Sequence, residues 1–135
     1  AMNFEAAKAY LLSKPEARED YPFGPPVLVP KIKGSMFATL TKQDGVPHMN
    51  LKCDPCFAEE LREMYDSIVP GHHMNKTHWN TIVLDGSVPD EELERMIDHS
   101  YSLVVKKLKK SQRSLLEQAY DHDELYKELE LQFVA

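Results

Sequence analysis

Asp44-Gly45 stands between two short runs that alternate in polarity, Met36 to Thr41 and His48 to Lys52. A Gly-bearing turn flanked by alternating residues is a strong short-range signal of an antiparallel hairpin. Gly34 marks an earlier turn, so Val27 to Ile32 reads as a further strand, and Pro30, which cannot donate to a ladder, predicts that this strand lies at a sheet edge. In the His48 strand Met49, Leu51 and Cys53 point one way, while His48, Asn50 and Lys52 point the other. One face is core and the other is available.

Helical signals surround these strands. Asn3 caps a first helix that carries Phe4, Ala7, Tyr10 and Leu11 at helical spacing and stops before Ser13-Lys14-Pro15. Asp54 followed by Pro55 opens a second helix with Phe57, Leu61, Met64 and Tyr65 on one stripe. Ile68-Val69 and Trp79 to Leu84 supply two more strands around a polar link. Pro89 opens the longest helix, whose stripe is Leu93, Met96, Ile97, Tyr101, Val104, Val105 and Leu108. Asp121 with Glu124 three residues later is a capping-box spacing, so the helical tail breaks near Asp121. Strands and helices in this order predict an α+β fold, a two-layer sandwich in which an antiparallel sheet packs on helices, with an extra C-terminal helical tail.

With 135 residues the chain is of single-domain size. Residues 1–110 form the expected domain and residues 111–135 an acidic helical extension. Apolar content of 42% and charged content of 28% exclude a disordered or fibrous class. The longest apolar run, Ala9 to Leu12, is too short for a membrane span or an export signal, and Ala1-Met2 reads as an initiator methionine behind one extra residue. Two cysteines without such a signal point to a reducing compartment, with cytoplasm the default. Net charge is −6, of which the tail from Ser114 supplies −5 through six acids and Lys127. Lys106, Lys107, Lys109, Lys110 and Arg113 crowd the helix end just before it, so overall acidity does not exclude an anionic partner.

His72, His73, His78 and His99 with Cys53 and Cys56 are potential metal ligands, but no second close pair matches Cys53-Asp54-Pro55-Cys56, so no metal and no other cofactor is predicted. Cys53 lies on the apolar face of its strand, where a thiol is inert, which weighs against redox chemistry. No nucleophile elbow, phosphate-binding loop, dinucleotide fingerprint or zincin motif occurs. Asp98 and His99 point about 100° apart on their helix and make a poor orienter and base pair. No catalytic residue is assigned, and the chain reads as a binding module more than an enzyme.

Pro22-Phe23-Gly24-Pro25, Lys33-Gly34-Ser35-Met36-Phe37-Ala38, Met49-Asn50-Leu51-Lys52-Cys53-Asp54-Pro55, Pro70 to Thr81 and Ile97-Asp98-His99-Ser100-Tyr101 resemble, in order, the motifs of the MmcQ/YjbR family of small bacterial proteins. The specific part is Asn75, Lys76, His78, Trp79 and Asn80. The resemblance implies a CyaY-like two-layer sandwich and a likeness to double-wing DNA-binding domains, and it brings no catalytic residues. Cys56 and the tail from Ser111 depart from the family pattern.

Two partners are therefore expected in competition. A nucleic acid, most naturally DNA, would be held through phosphate contacts from Lys31, Lys33, Lys42, Lys52, Lys76, Lys106, Lys107, Lys109 and Lys110. A small molecule or anion would instead sit in a pocket lined by Asn50, His73, Asn75, His78 and Trp79. Trp79 reads equally as core or as a stacking platform. A third role falls to the tail, whose broken stripe of Leu115, Leu116, Ala119, Tyr126, Leu129 and Phe133 would pack on its own domain, cover the basic helix end or pair with a second copy in a weak homodimer.

Overall fold

The computed structural model describes residues 1–127 and residue 129. Phe133, the last member of the tail stripe, and the acids Glu128 and Glu130 lie outside the described residues. The chain order is α1 (Phe4–Leu12), β1 (Arg18–Asp20), β2 (Val29–Ile32), β3 (Ser35–Met36), β4 (Ala38–Gln43), β5 (Val46–Lys52), α2 (Pro55–Met64), β6 (Ile68–Pro70), β7 (Trp79–Val83), α3 (Asp90–Lys106), α4 (Lys110–Ala119) and α5 (His122–Leu125). This is the expected α+β class, with antiparallel strands packed on helices. Among the described residues no helix is long and apolar enough to cross a membrane.

The strands form two sheets where one was expected. The main sheet has the order β4-β5-β7-β6, and the smaller one β1-β2-β3, with every pairing antiparallel. The run read as one strand from Met36 to Thr41 is broken at Phe37, where the chain passes from the small sheet to the large one. Phe37 is fully buried with its ring edge-on to Tyr101 at 5.3 Å between centroids, and its carbonyl accepts the Ser100 hydroxyl at 2.6 Å. Packing therefore overrides the local strand pattern. Pro30 is also not at an edge: β2 lies between β1 and β3, with Pro30 opposite Glu19. An antiparallel ladder alternates bonded and non-bonded pairs, and Pro30 contributes only its carbonyl, which accepts the Phe37 N–H at 3.2 Å.

Register decides which face of the main sheet is dry. Leu40 pairs with Met49, Met49 with Ile82 and Ile68 with Ile82, a cross-strand row in which each residue is 2% exposed or less. The helices lie on the sheet, α1 against β4, α3 against β5 and α2 against β6. All seven residues of the stripe assigned to the longest helix are buried. On α2, Met64 departs from its assigned stripe and is 42% exposed, because it sits in the last turn while Ala58 and Leu61 make the buried contacts.

The tail folds back onto the domain. Leu116, Leu125 and Leu129 join the same apolar cluster as Val104, Val105 and Leu108, whereas Leu115 is exposed. The chain leaves α4 at Tyr120, and the Asp121 N–H donates to the Glu124 carboxylate at 2.9 Å, the capping box that its spacing predicts.

Candidate binding site

The outward face of the main sheet carries polar residues in register. Thr39 pairs with Asn50 and Asn50 with Thr81, while Thr41 pairs with His48 in the adjoining row. Over this face folds the Pro/Gly-rich segment that follows β1, anchored where the Thr41 hydroxyl donates to the Pro26 carbonyl at 3.0 Å. The link between β6 and β7 closes another side. Together they enclose a recess of about 320 Å³. Its floor is Thr39, Thr41, Gln43, His48, Asn50 and Thr81; its walls are Phe23, Val27, His72, His73 and Met74. No acid, lysine or arginine lines it.

Several floor groups are fixed. Thr81 donates its hydroxyl hydrogen to the Asn50 side-chain oxygen and accepts the His72 N–H at 2.8 Å, which locks floor to wall. The His48 Nδ1 lies 2.9 Å from the Val46 carbonyl, which can only accept, so Nδ1 donates and the ring is held in place with Nε2 not used by this bond. His73 adopts φ 58°, in the left-handed region, a conformation that reverses the chain at the rim. Phe23 is 65% exposed at the mouth, an unusual placement for so large an apolar ring.

Of the five residues assigned to a small-molecule site, Asn50 and His73 line the recess, whereas Asn75, His78 and Trp79 do not. Asn75 stabilises the turn instead, its side-chain oxygen accepting the N–H groups of Thr77 at 2.9 Å and His78 at 3.2 Å. The exposed His78 gives its carbonyl to the Cys53 N–H at 2.8 Å. Trp79 is half-buried, and its carbonyl accepts the Gly71 N–H at 2.8 Å. A β-carbon on Gly71 would lie 2.8 Å from that of Trp79, which is why glycine stands there. Arg62 of α2, which sequence reasoning passed over, ties the whole turn down. Its Nε donates to the buried Asn80 at 2.7 Å, and its Nη2 donates to the Lys76 carbonyl. The Asn75–Asn80 signature is thus mainly a clasp that builds the rim. The strand-period run Thr39, Thr41, Gln43, matched by His48 and Asn50, was the signal available for the floor.

The nine lysines assigned to phosphate are in unlike settings. Lys31 pairs with Asp20 at 2.8 Å and Lys33 with Glu16 at 3.1 Å. Lys42 lies 5.2 Å from the Phe4 ring centroid, and Lys76, though exposed, donates to the Gly71 carbonyl at 3.0 Å. Lys106, Lys107, Lys109 and Lys110 are exposed at the α3–α4 junction. Lys52 reaches Lys107, and burial, reinforced by that like charge, holds the Lys52 ammonium below the ordinary lysine value.

Among the described residues no three His, Cys, Asp or Glu side chains gather to hold a metal ion. Burial pushes the Cys53 thiol up to about 12, with the Asp54 carboxylate adding to it, so the group stays protonated. Asp98 and His99 serve different partners. The His99 Nε2 accepts the Asp54 N–H at 3.1 Å, and burial, opposed by Asp54 and aided by Lys106, lowers its pKa from 6.5 to about 4. The unfolded chain takes up that proton near pH 6.5 and the folded chain only near pH 4, so acid favours unfolding. Stability is expected to fall by up to about 3 kcal/mol across this window. Urea midpoints at both ends measure the fall, and His99→Gln, whose amide oxygen can accept the same N–H, should flatten it relative to wild type.

A family model described as YjbR matches residues 12–103. The chain is 34% identical over 109 residues to the uncharacterized protein YjbR of Escherichia coli K12, covering 81% of this chain and 92% of that one. It is 39% identical over 106 residues to YbdF of Escherichia coli O157:H7, covering 78% and 87%. Its structure is similar to the crystal structure of a Deinococcus radiodurans protein with a DUF419 domain, at TM-score 0.79 and 37% identity over 86% of this chain and 88% of the other. A Pseudomonas syringae protein superposes at TM-score 0.67 with 27% identity, over 76% and 98%.

Proposed function

The chain belongs to the YjbR family, and on that premise we propose that it is a binding module taking a small, planar, polar molecule into the recess on the outer face of its main sheet. The observation that carries this reading is the composition of the recess. Hydroxyls, amides and imidazoles are set among apolar surface from Val27 and Met74 in a concave volume with no acid, lysine or arginine, and an exposed Phe23 ring stands at its mouth. Pockets of roughly 300 Å³ and above suit small ligands, with a few placed polar groups setting orientation. A heterocycle would exchange hydrogen bonds with Gln43 and the His48 Nε2 while stacking against Phe23.

A second reading, DNA held by lysine–phosphate contacts, is supported by the exposed lysines of the α3–α4 junction with Lys52 beside them. Lys31 and Lys33 add less to it, since their charges are already paired.

One thermal-shift experiment weighs both. A panel of neutral nucleobase-sized heterocycles and a short DNA duplex at low ionic strength are compared on wild type and Phe23→Ala. The expected result is stabilisation by a heterocycle, about 2.7 kcal/mol at a hundredfold excess over Kd, that is lost in Phe23→Ala. A panel with no stabiliser, or a shift indifferent to Phe23, rejects the recess. Stabilisation by the duplex alone, weakening with salt at about −0.9 per contact in log–log form, transfers the function to DNA.

A further inference from the structure

We propose that the recess where α3, α4 and α5 meet is a second site, formed between the end of α3 and the C-terminal segment, for a small molecule bearing a phosphate group. The recess holds about 300 Å³ and is lined by Lys106, Arg113, His122 and Tyr126. Lys106 ends α3, whereas Arg113, His122 and Tyr126 come from the segment beyond residue 110, past the end of the family match at residue 103.

The donors are positioned. The Arg113 Nη1 donates to the Lys106 carbonyl at 3.2 Å, which fixes the guanidinium at the end of α3, and its Nε lies 3.5 Å from Glu117. A guanidinium has five N–H groups in a rigid fork, so the Nη2 pair and one Nη1 hydrogen are not used by these two contacts, and neighbouring N–H groups of such a fork can grip an oxyanion with two parallel bonds. The Lys106 ammonium sits 5.9 Å from the Tyr126 ring centroid, with no carboxylate among its described partners. His122 and Tyr126 hold their rings 5.0 Å apart, forming an aromatic wall beside the cations.

The local field favours an anion. Residues 106–113 contain five bases and no acid. Among the described residues, the carboxylates paired with the lining side chains, Glu117 on Arg113 and Asp123 at 3.7 Å from His122, offset only part of that charge. They also select for size. A compact phosphate can enter between the rings and the Arg113 fork, whereas an extended polyanion leaving the recess along α5 would pass the exposed carboxylates of Asp121, Asp123 and Glu124. The aromatic wall suits a ring attached to the phosphate.

Calorimetric titration of the full chain with inorganic phosphate, phenyl phosphate and a single-stranded oligonucleotide tests the site and separates a free phosphate ester from a nucleic-acid backbone. Phenyl phosphate is expected to bind more tightly than phosphate, and Arg113→Gln and Lys106→Gln each to weaken it about tenfold or more. Phe23→Ala, at the other recess, is expected to leave it unchanged. Both substituted side chains lie at the surface, so neither change opens the core. The proposal is overturned by absence of phenyl phosphate binding, by binding indifferent to both substitutions, by loss of binding in Phe23→Ala, or by an Arg113-dependent preference for the oligonucleotide.

Discussion

Asp98→Ala is expected to lower stability by about 3–5 kcal/mol, the usual consequence of removing one partner from a desolvated ion pair. Asp98 and Lys14 side chains are 7% and 8% exposed, with Nζ and Oδ1 2.7 Å apart. The same oxygen accepts the Tyr10 hydroxyl at 2.8 Å, and the other faces Lys127 of the tail at 3.6 Å. Burial and this carboxylate together raise the Tyr10 pKa, so the phenol keeps its proton and donates. Alanine would strand an ammonium beside the Tyr101 ring, whose centroid is 5.3 Å away, and leave the phenol unpaired. Urea denaturation measures the loss. Replacing both charges, as Lys14→Met with Asp98→Leu, is expected to restore most of it, because no charge is then left in the interior. A loss under about 1 kcal/mol for Asp98→Ala would show that water solvates the pair.

Arg62→Ala should be the second most damaging surface-reaching change, at about 2–4 kcal/mol, since it removes a charged donor and leaves the Asn80 oxygen without its partner. Asn80 is 2% exposed, and its amide also donates to the Ala58 carbonyl at 3.4 Å, so it has little freedom to seek water. Lysine is expected not to substitute, because a point charge cannot reach Asn80 and the Lys76 carbonyl together. Hydrogen exchange provides a local readout. The Gly71 and Trp79 amides, bonded to Trp79 and Asn75 carbonyls, should lose protection in Arg62→Ala beyond what the global change explains. Uniform loss across the main sheet would mean that Arg62 is no local clasp.

Elements whose sequence period matched their burial were legible in advance. Met49, Leu51 and Cys53 alternate into the core, and α3 carries its buried stripe at helical spacing. In the small sheet β2 was read as a strand but β1 was not, since Arg18-Glu19-Asp20 is exposed throughout and has no apolar period to read. The break at Phe37 depends on Tyr101 and Ser100, more than sixty residues away in sequence. The recess was half legible. Its floor lies on strands that could be drawn in register, but Phe23 joins it only because a loop without periodic pattern folds across the sheet. The Asn75–Asn80 signature misled about chemistry for a related reason. Polar side chains in a turn mark donors and acceptors, and only the fold reveals whether backbone groups have already claimed them.

Two of the four strands that bound the sheets, β1 and β6, also limit what the chain can do in a crowd. β1 is three residues of exposed charge, and β6 is equally short and ends in Pro70, which offers no N–H. A growing fibril extends by laying strand upon strand along an open margin. Neither margin presents the long, uncharged row of donors and acceptors that such templating requires, so the fold resists seeding cross-β growth from these two edges.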